Sequence, residues 1–124
     1  MNPYIIPGLK NIKVPARYLN LVSKITIDSV LNTVCEVYCV DKKLLPAKTR
    51  KRNIVEARHM ISWILVKRVG MSMSSVGRDI LGGRDHTTII NSLKVYSNLY
   101  DTDDSFKAKS NLVMEKLTTW KINN

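Results

Sequence analysis

From Thr26 onward, apolar residues recur at helical spacing, and that periodicity limits the possible folds more than any other feature of the chain. Ile27, Val30, Leu31, Val34, Cys35 and Tyr38 share one helical face. Ile54, Ala57, Ile61, Ile64 and Leu65 form a second stripe, widened by Met60 and Trp63, and Ile89, Ile90, Leu93 and Tyr96 form a third. Phe106, Val113, Leu117 and Trp120 fall on one side of a last helix. No period-two strand pattern competes with these stripes. Each can be buried only against another, so the expected class is all-α, a helical bundle.

The residues between the stripes set the boundaries. Thr26 is placed to cap the first helix. Val40 to Lys51 breaks the pattern, with Pro46 disfavouring helix at Leu45, and reads as a basic loop. Asn53 can cap a longer helix running to about Val69, ended by Gly70. Ser72 or Ser74 then starts a short helix through Val76, Ile80 and Leu81, which Gly82 and Gly83 stop. Asp85 caps the next helix, and a polar turn at Asp101 to Asp104 precedes the last. Short helix, glycine turn and second helix make the layout of a helix-turn-helix. Residues 1–24 carry Pro3, Pro7, Gly8 and Pro15 with four cations and no acid. They read as an irregular basic arm, helical in part from Ala16, ahead of a domain at 25–120 and a tail at 121–124.

Charge narrows the partner. Twenty Lys and Arg against ten Asp and Glu give a net charge of +10 over 124 residues, which favours a polyanion. Between Lys42 and Arg68 stand nine cations against Glu56 alone, a block that is either a nucleic-acid face, a solvated surface or an attraction to anionic lipid. No apolar run spans a bilayer and MNPYIIPGLK has no signal-peptide core, so a cytoplasmic protein with no membrane partner is expected. Cys35 and Cys39 share a helical face, but His59 and His86 lie too far off for a metal spacing, which leaves two buried thiols and no metal or other cofactor.

The string GGRDHTT at Gly82 to Thr88 puts polar groups on the first turn of the second helix of that pair, the turn that reaches base edges in such motifs. Arg84 can fork onto guanine or phosphate, Asp85 can accept from cytosine, His86 can donate, and the Thr87 and Thr88 methyls can meet thymine. The alternative is that the glycines only turn the chain, Asp85 only caps and the threonines only start a helix.

GGRDHTT followed by an apolar pair resembles the signature of the C-terminal DNA-binding domain of the bacterial replication initiator family DnaA. ITIDSVLNTVCEVYCV resembles that domain's first helix, KTRKRNIVEARHM its basic loop and next helix, and SMSSVG the opening of its helix-turn-helix. The likeness runs from about Ile25 to Leu117 and implies a Trp-repressor-like helical bundle bound to double-stranded DNA. By it, Arg50 would enter a minor groove over the AT-rich half of the box, where a narrow groove concentrates negative potential. Lys48, Arg52, Arg58 and Lys67 would occupy basic positions along the backbone, and Met73 and Ser74 would meet phosphate through helix N-terminal amides. Three departures stand out: the loop is one residue longer around Pro46 and Ala47, the turn between Gly77 and Gly82 is one residue longer as well, and a phosphate-contacting lysine of the family falls on Val66, beside Lys67 and Arg68.

No G-x-x-x-x-G-K-[ST] phosphate loop occurs in the 124 residues, so neither nucleotide nor ATPase activity is expected of them. The resemblance implies box binding in replication initiation or its control, with the full-length initiator or other replication proteins as partners. A promoter-binding regulator, or an adaptor that kept the fold and lost box reading, stays open. An enzyme is disfavoured, because adjacent Asp85, His86 and Thr87 diverge around a helix axis and supply no clustered nucleophile and base.

Overall fold

The computed structural model describes residues 25–123, with side chains through Thr118 of the last helix. The basic arm at 1–24 and the side chain of Trp120 lie outside the described residues. Five helices follow in order: α1, Ile27–Tyr38; α2, Arg52–Ile64; α3, Met73–Ser75; α4, His86–Thr102; and α5, Asp104–Asn123. Two of them widen at their C-terminal ends into π turns, α2 at Leu65–Val69 and α3 at Val76–Ile80. No strand occurs among the described residues, and the all-α reading holds.

α1 begins as expected. Thr26 is its N-cap, accepting from Ser29 N at 3.1 Å while Ser29 Oγ accepts from Thr26 N at 3.0 Å, a reciprocal box that satisfies two end amides. The helix ends at Cys39, which takes a left-handed φ of 55° and sends the chain outward. Cys35 is therefore buried and Cys39 exposed, so only one of the two thiols expected inside is there. Burial raises the Cys35 pKa, which keeps it a thiol.

The stretch read as basic loop contains a 3-10 turn, Lys42–Leu44, capped by the Asp41 carboxylate accepting from Lys43 N at 2.9 Å. α2 starts one residue ahead of the expected cap: Lys51 holds the N-cap position, and Asn53 sits in the first turn with its Oδ1 accepting from Ile54 N at 3.0 Å. The polar turn expected at Asp101 to Asp104 shrinks to Asp103, whose carboxylate accepts from Phe106 N at 3.1 Å and so starts α5 directly behind α4.

The core is one cluster fed by every helix, with Val30, Val34, Ala57, Met60, Ile61, Ile64, Leu65, Val76, Ile89, Phe106 and Val113 fully enclosed. α2 lies at its centre, packed against α1 on one side and α4 on the other, while α5 closes the remaining face against α1 and α4. Trp63 stacks on Tyr96 with ring centres 4.5 Å apart, and Phe106 meets Tyr96 edge-on at 5.3 Å, which ties α2, α4 and α5 together. The buried line of α4 is Ile89, Ser92 and Tyr96, with Ile90 and Leu93 half-buried beside it. Ser92 can sit in the core because its hydroxyl bonds His59 Nδ1 on α2 at 3.0 Å. α4 is thus anchored along its inner side, and at its N-terminus His86, Thr87 and Thr88 are all exposed.

Candidate nucleic-acid interface

The projecting turn is Asp85 to Thr88, all four residues exposed. Asp85 occupies the N-cap position, but its carboxylate makes no capping bond to the amides beyond His86. Instead it accepts from the Thr87 hydroxyl at 3.0 Å and lies 2.8 Å from His86 Nδ1. The Thr87 bond is the main reason its pKa falls below the ordinary carboxylate value, with His86 adding to it, so the turn carries a persistent anion flanked by a hydroxyl and an imidazole. Adjacent in sequence, the three do not diverge around the helix axis as expected but are drawn together by the Asp85 carboxylate, on an exposed turn. Their donors and acceptors suit base edges better than bond-making chemistry.

Two glycines shape the approach to this turn. Gly77 in the second half of the short helix accepts through its carbonyl from Gly83 N and Arg84 N, both at 2.9 Å, and a Cβ on it would lie 2.1 Å from Arg84 O. Gly82 takes φ +76° and faces Pro46, whose carbonyl oxygen would be 2.7 Å from an added Cβ. The basic loop therefore lies directly against the turn that feeds α4.

The expected cations divide into two groups. Lys48, Arg50 and Lys67 are exposed, the first two on the loop and Lys67 on the π turn that ends α2. Arg52 is also exposed but sits against acids: its Nε is 2.9 Å from Glu56 Oε2 and its Nη2 3.6 Å from Asp103 Oδ2, which turns its charge toward the α4–α5 junction. Arg58 is 8 % exposed and donates to the carbonyls of Leu45 and Thr49 at 2.8 Å, of Leu44 at 3.2 Å, and of Ala47. Arg84 is half-buried and donates to Ala47 O at 3.0 Å and to Leu81 O. Arg58 and Arg84 thus meet carbonyls of their own chain where the composition of the region led us to expect solvent-facing charge. One signal was legible: Arg58 stands four residues after Ile54 and three before Ile61, on the buried stripe itself, where a guanidinium must find acceptors.

Ser72 caps α3, its hydroxyl accepting from Ser75 N at 3.1 Å, which leaves Met73 and Ser74 on the first turn, half-buried and exposed respectively. Among the described residues no His, Cys, Asp and Glu cluster has the make-up of a metal site, and no helix is long and apolar enough to cross a membrane.

The family model for the bacterial dnaA protein helix-turn-helix matches residues 27–95. The chain is 31 % identical over 99 residues to the chromosomal replication initiator protein DnaA of Flavobacterium psychrophilum, covering 80 % of this chain and 20 % of that protein. Its counterpart in a Synechococcus strain is 31 % identical over 94 residues, 76 % of this chain and 20 % of that one, and the Bacteroides thetaiotaomicron protein 29 % over 90 residues, 73 % and 19 %. The chain therefore spans about a fifth of the length of the curated relatives it matches. The matched span holds α1 to the middle of α4, with the loop, the glycine turn and the exposed Asp85 to Thr88. This chain belongs to the bacterial DnaA helix-turn-helix family and carries its DNA-binding domain.

Proposed function

We propose that the domain recognises a DnaA-box-like sequence in double-stranded DNA, in replication initiation or its control, without hydrolysing nucleotide itself. The observation that supports this best is the exposed first turn of α4 on a helix held to the core through Ile89, Ser92 and Tyr96. Asp85, His86, Thr87 and Thr88 enter the major groove and meet base edges, with the Asp85 anion suited to a cytosine amino group. Arg50 enters the adjoining minor groove, where a narrow AT-rich tract holds a guanidinium best. Lys48, Lys67 and the amides of Met73 and Ser74 meet phosphates and set the register. Arg52, its charge shared with Glu56 and Asp103, adds long-range attraction.

The test is a titration of the full chain with a duplex carrying a DnaA box and with a shuffled duplex of the same composition, each at several salt concentrations. A box preference of at least tenfold is expected, on top of nonspecific binding that weakens with salt. Equal affinity for the two duplexes would refute sequence recognition and leave a nonspecific polyanion binder or an adaptor.

A further inference from the structure

We propose that Arg58 and Arg84 are positioning residues that clamp the basic loop to the turn before α4, so that Arg50 and the first turn of α4 meet the duplex as one rigid unit. The inference rests on the two-groove reading given above and adds how its two halves are held in register. The two guanidinium groups arrive from different elements, α2 and the glycine turn, and converge on one acceptor, the carbonyl of Ala47. Arg58 also gathers the carbonyls of Leu44, Leu45 and Thr49. Four loop carbonyls, of Leu44, Leu45, Ala47 and Thr49, are thus taken up by arginine while the Lys48 and Arg50 side chains stay exposed.

Neither arginine belongs to an ion pair among the described residues. Burial and the neighbouring Arg84 charge both lower the pKa of Arg58. Two like charges beside a single carbonyl repel each other. That repulsion is offset by guanidinium groups that spread their donors over several acceptors from different nitrogens in one plane, a geometry the single nitrogen of an ammonium does not reproduce. Pro46 against Gly82 completes the clamp from the other side, since anything larger than hydrogen at Gly82 meets the Pro46 backbone. With its guanidinium engaged in this way, Arg84 is not a base reader: that task falls to Asp85, His86, Thr87 and Thr88.

Arg84→Lys separates the possibilities because it keeps the charge and removes the fork. With the full chain carrying 13C at alanine carbonyls, the Ala47 resonance of the free variant should move upfield as a hydrogen bond is lost. Affinity for a shuffled duplex and the salt slope should stay at wild-type values, while preference for a DnaA-box duplex falls at least tenfold. In the same background Arg50→Ala should cost several-fold less box affinity than it does in the wild type, because the loop is already out of register. An Ala47 resonance unchanged by Arg84→Lys, or an Arg50→Ala effect that is fully additive, overturns the clamp. So does an Arg84→Ala variant whose salt slope flattens by about 0.9 and recovers with lysine, the mark of a direct phosphate contact. Arg58→Lys should lower box preference in the same way, and where that variant does not fold the half-buried Arg84 decides the question alone. A wild type without box preference would refute the two-groove reading and the clamp's role in it, whereas the Ala47 resonance reports the clamp in the free protein either way.

Discussion

Gly77→Ala sets propensity against packing, and the two disagree in sign. Gly77 lies within the helical turn Val76–Ile80, where alanine is favoured over glycine by about 1 kcal/mol. A methyl there would stand 2.1 Å from Arg84 O and 3.0 Å from Arg84 C, both backbone atoms, so the segment before α4 must move by about an ångström to restore ordinary contact. That shift breaks the bonds from Gly83 N and Arg84 N to Gly77 O, each about 1 kcal/mol net, and adds an overpacking cost of about 1–3 kcal/mol. The balance is a destabilisation of about 2–4 kcal/mol, a large share of the roughly 5–15 kcal/mol that holds a domain folded. Urea unfolding followed by far-UV circular dichroism reads it directly, with the midpoint falling at constant m. Gly83→Ala is the control: its Cβ meets nothing within 4 Å, but its φ of +87° penalises any side chain by about 1–2 kcal/mol. A Gly77→Ala variant as stable as the wild type, or less affected than Gly83→Ala, would refute the close approach of the short helix to the segment before α4.

Further outcomes follow from the same geometry. Thr87→Ala should reduce discrimination between box and shuffled duplexes by about 1–3 kcal/mol while leaving the salt slope unchanged; full preference in paired titrations would remove Thr87 from the base-reading set. Lys48→Ala should weaken both duplexes alike and flatten the log–log salt slope by about 0.9, and an unchanged slope would take Lys48 off the phosphates. Arg52→Ala should leave stability close to wild type, since its side chain is 83 % exposed and its bridges to Glu56 and Asp103 are solvated; a clear loss in urea melts would contradict that placement. His59 is held below its ordinary pKa mainly by burial, opposed by Glu56 and reinforced by Arg58, so the unfolded chain binds its proton more readily than the folded one. Its contribution is present above the unfolded value near 6.5 and is lost as pH falls from there toward the folded pKa. Melts between pH 7.5 and 5 should show this decline, and His59→Gln should flatten it.

The stripes carried the architecture because burial enforces them. Val30, Val34, Ile61, Ile89, Phe106 and Val113, all assigned inward from spacing, are enclosed, and Thr26 caps where the pattern starts. Boundaries slipped where local chemistry has near-equal solutions: Asn53 serves the Ile54 amide from inside the first turn, and Asp103 alone separates α4 from α5. Cys39 followed the stripe in sequence but lies on the left-handed residue that ends α1, and periodicity does not register where a helix stops.

The candidate interface was legible by position more than by partner. The exposed turn at Asp85 to Thr88 follows from GGRDHTT and a cap, because a polar run before an apolar pair can only start a helix on the surface. What the arginines bond to does not follow, because their partners are backbone carbonyls, which every residue has and no motif marks. Arg58 on the buried stripe required acceptors, yet nothing in the string names Leu44, Leu45, Ala47 and Thr49 over any other carbonyls. Net charge counts Arg58 and Arg84 with Lys48 and Arg50, while the structure divides the four by what their charge faces. Charge density in this domain therefore overstates the cations free to meet phosphate, and its salt slope should correspond to the exposed lysines and Arg50 rather than to the whole block.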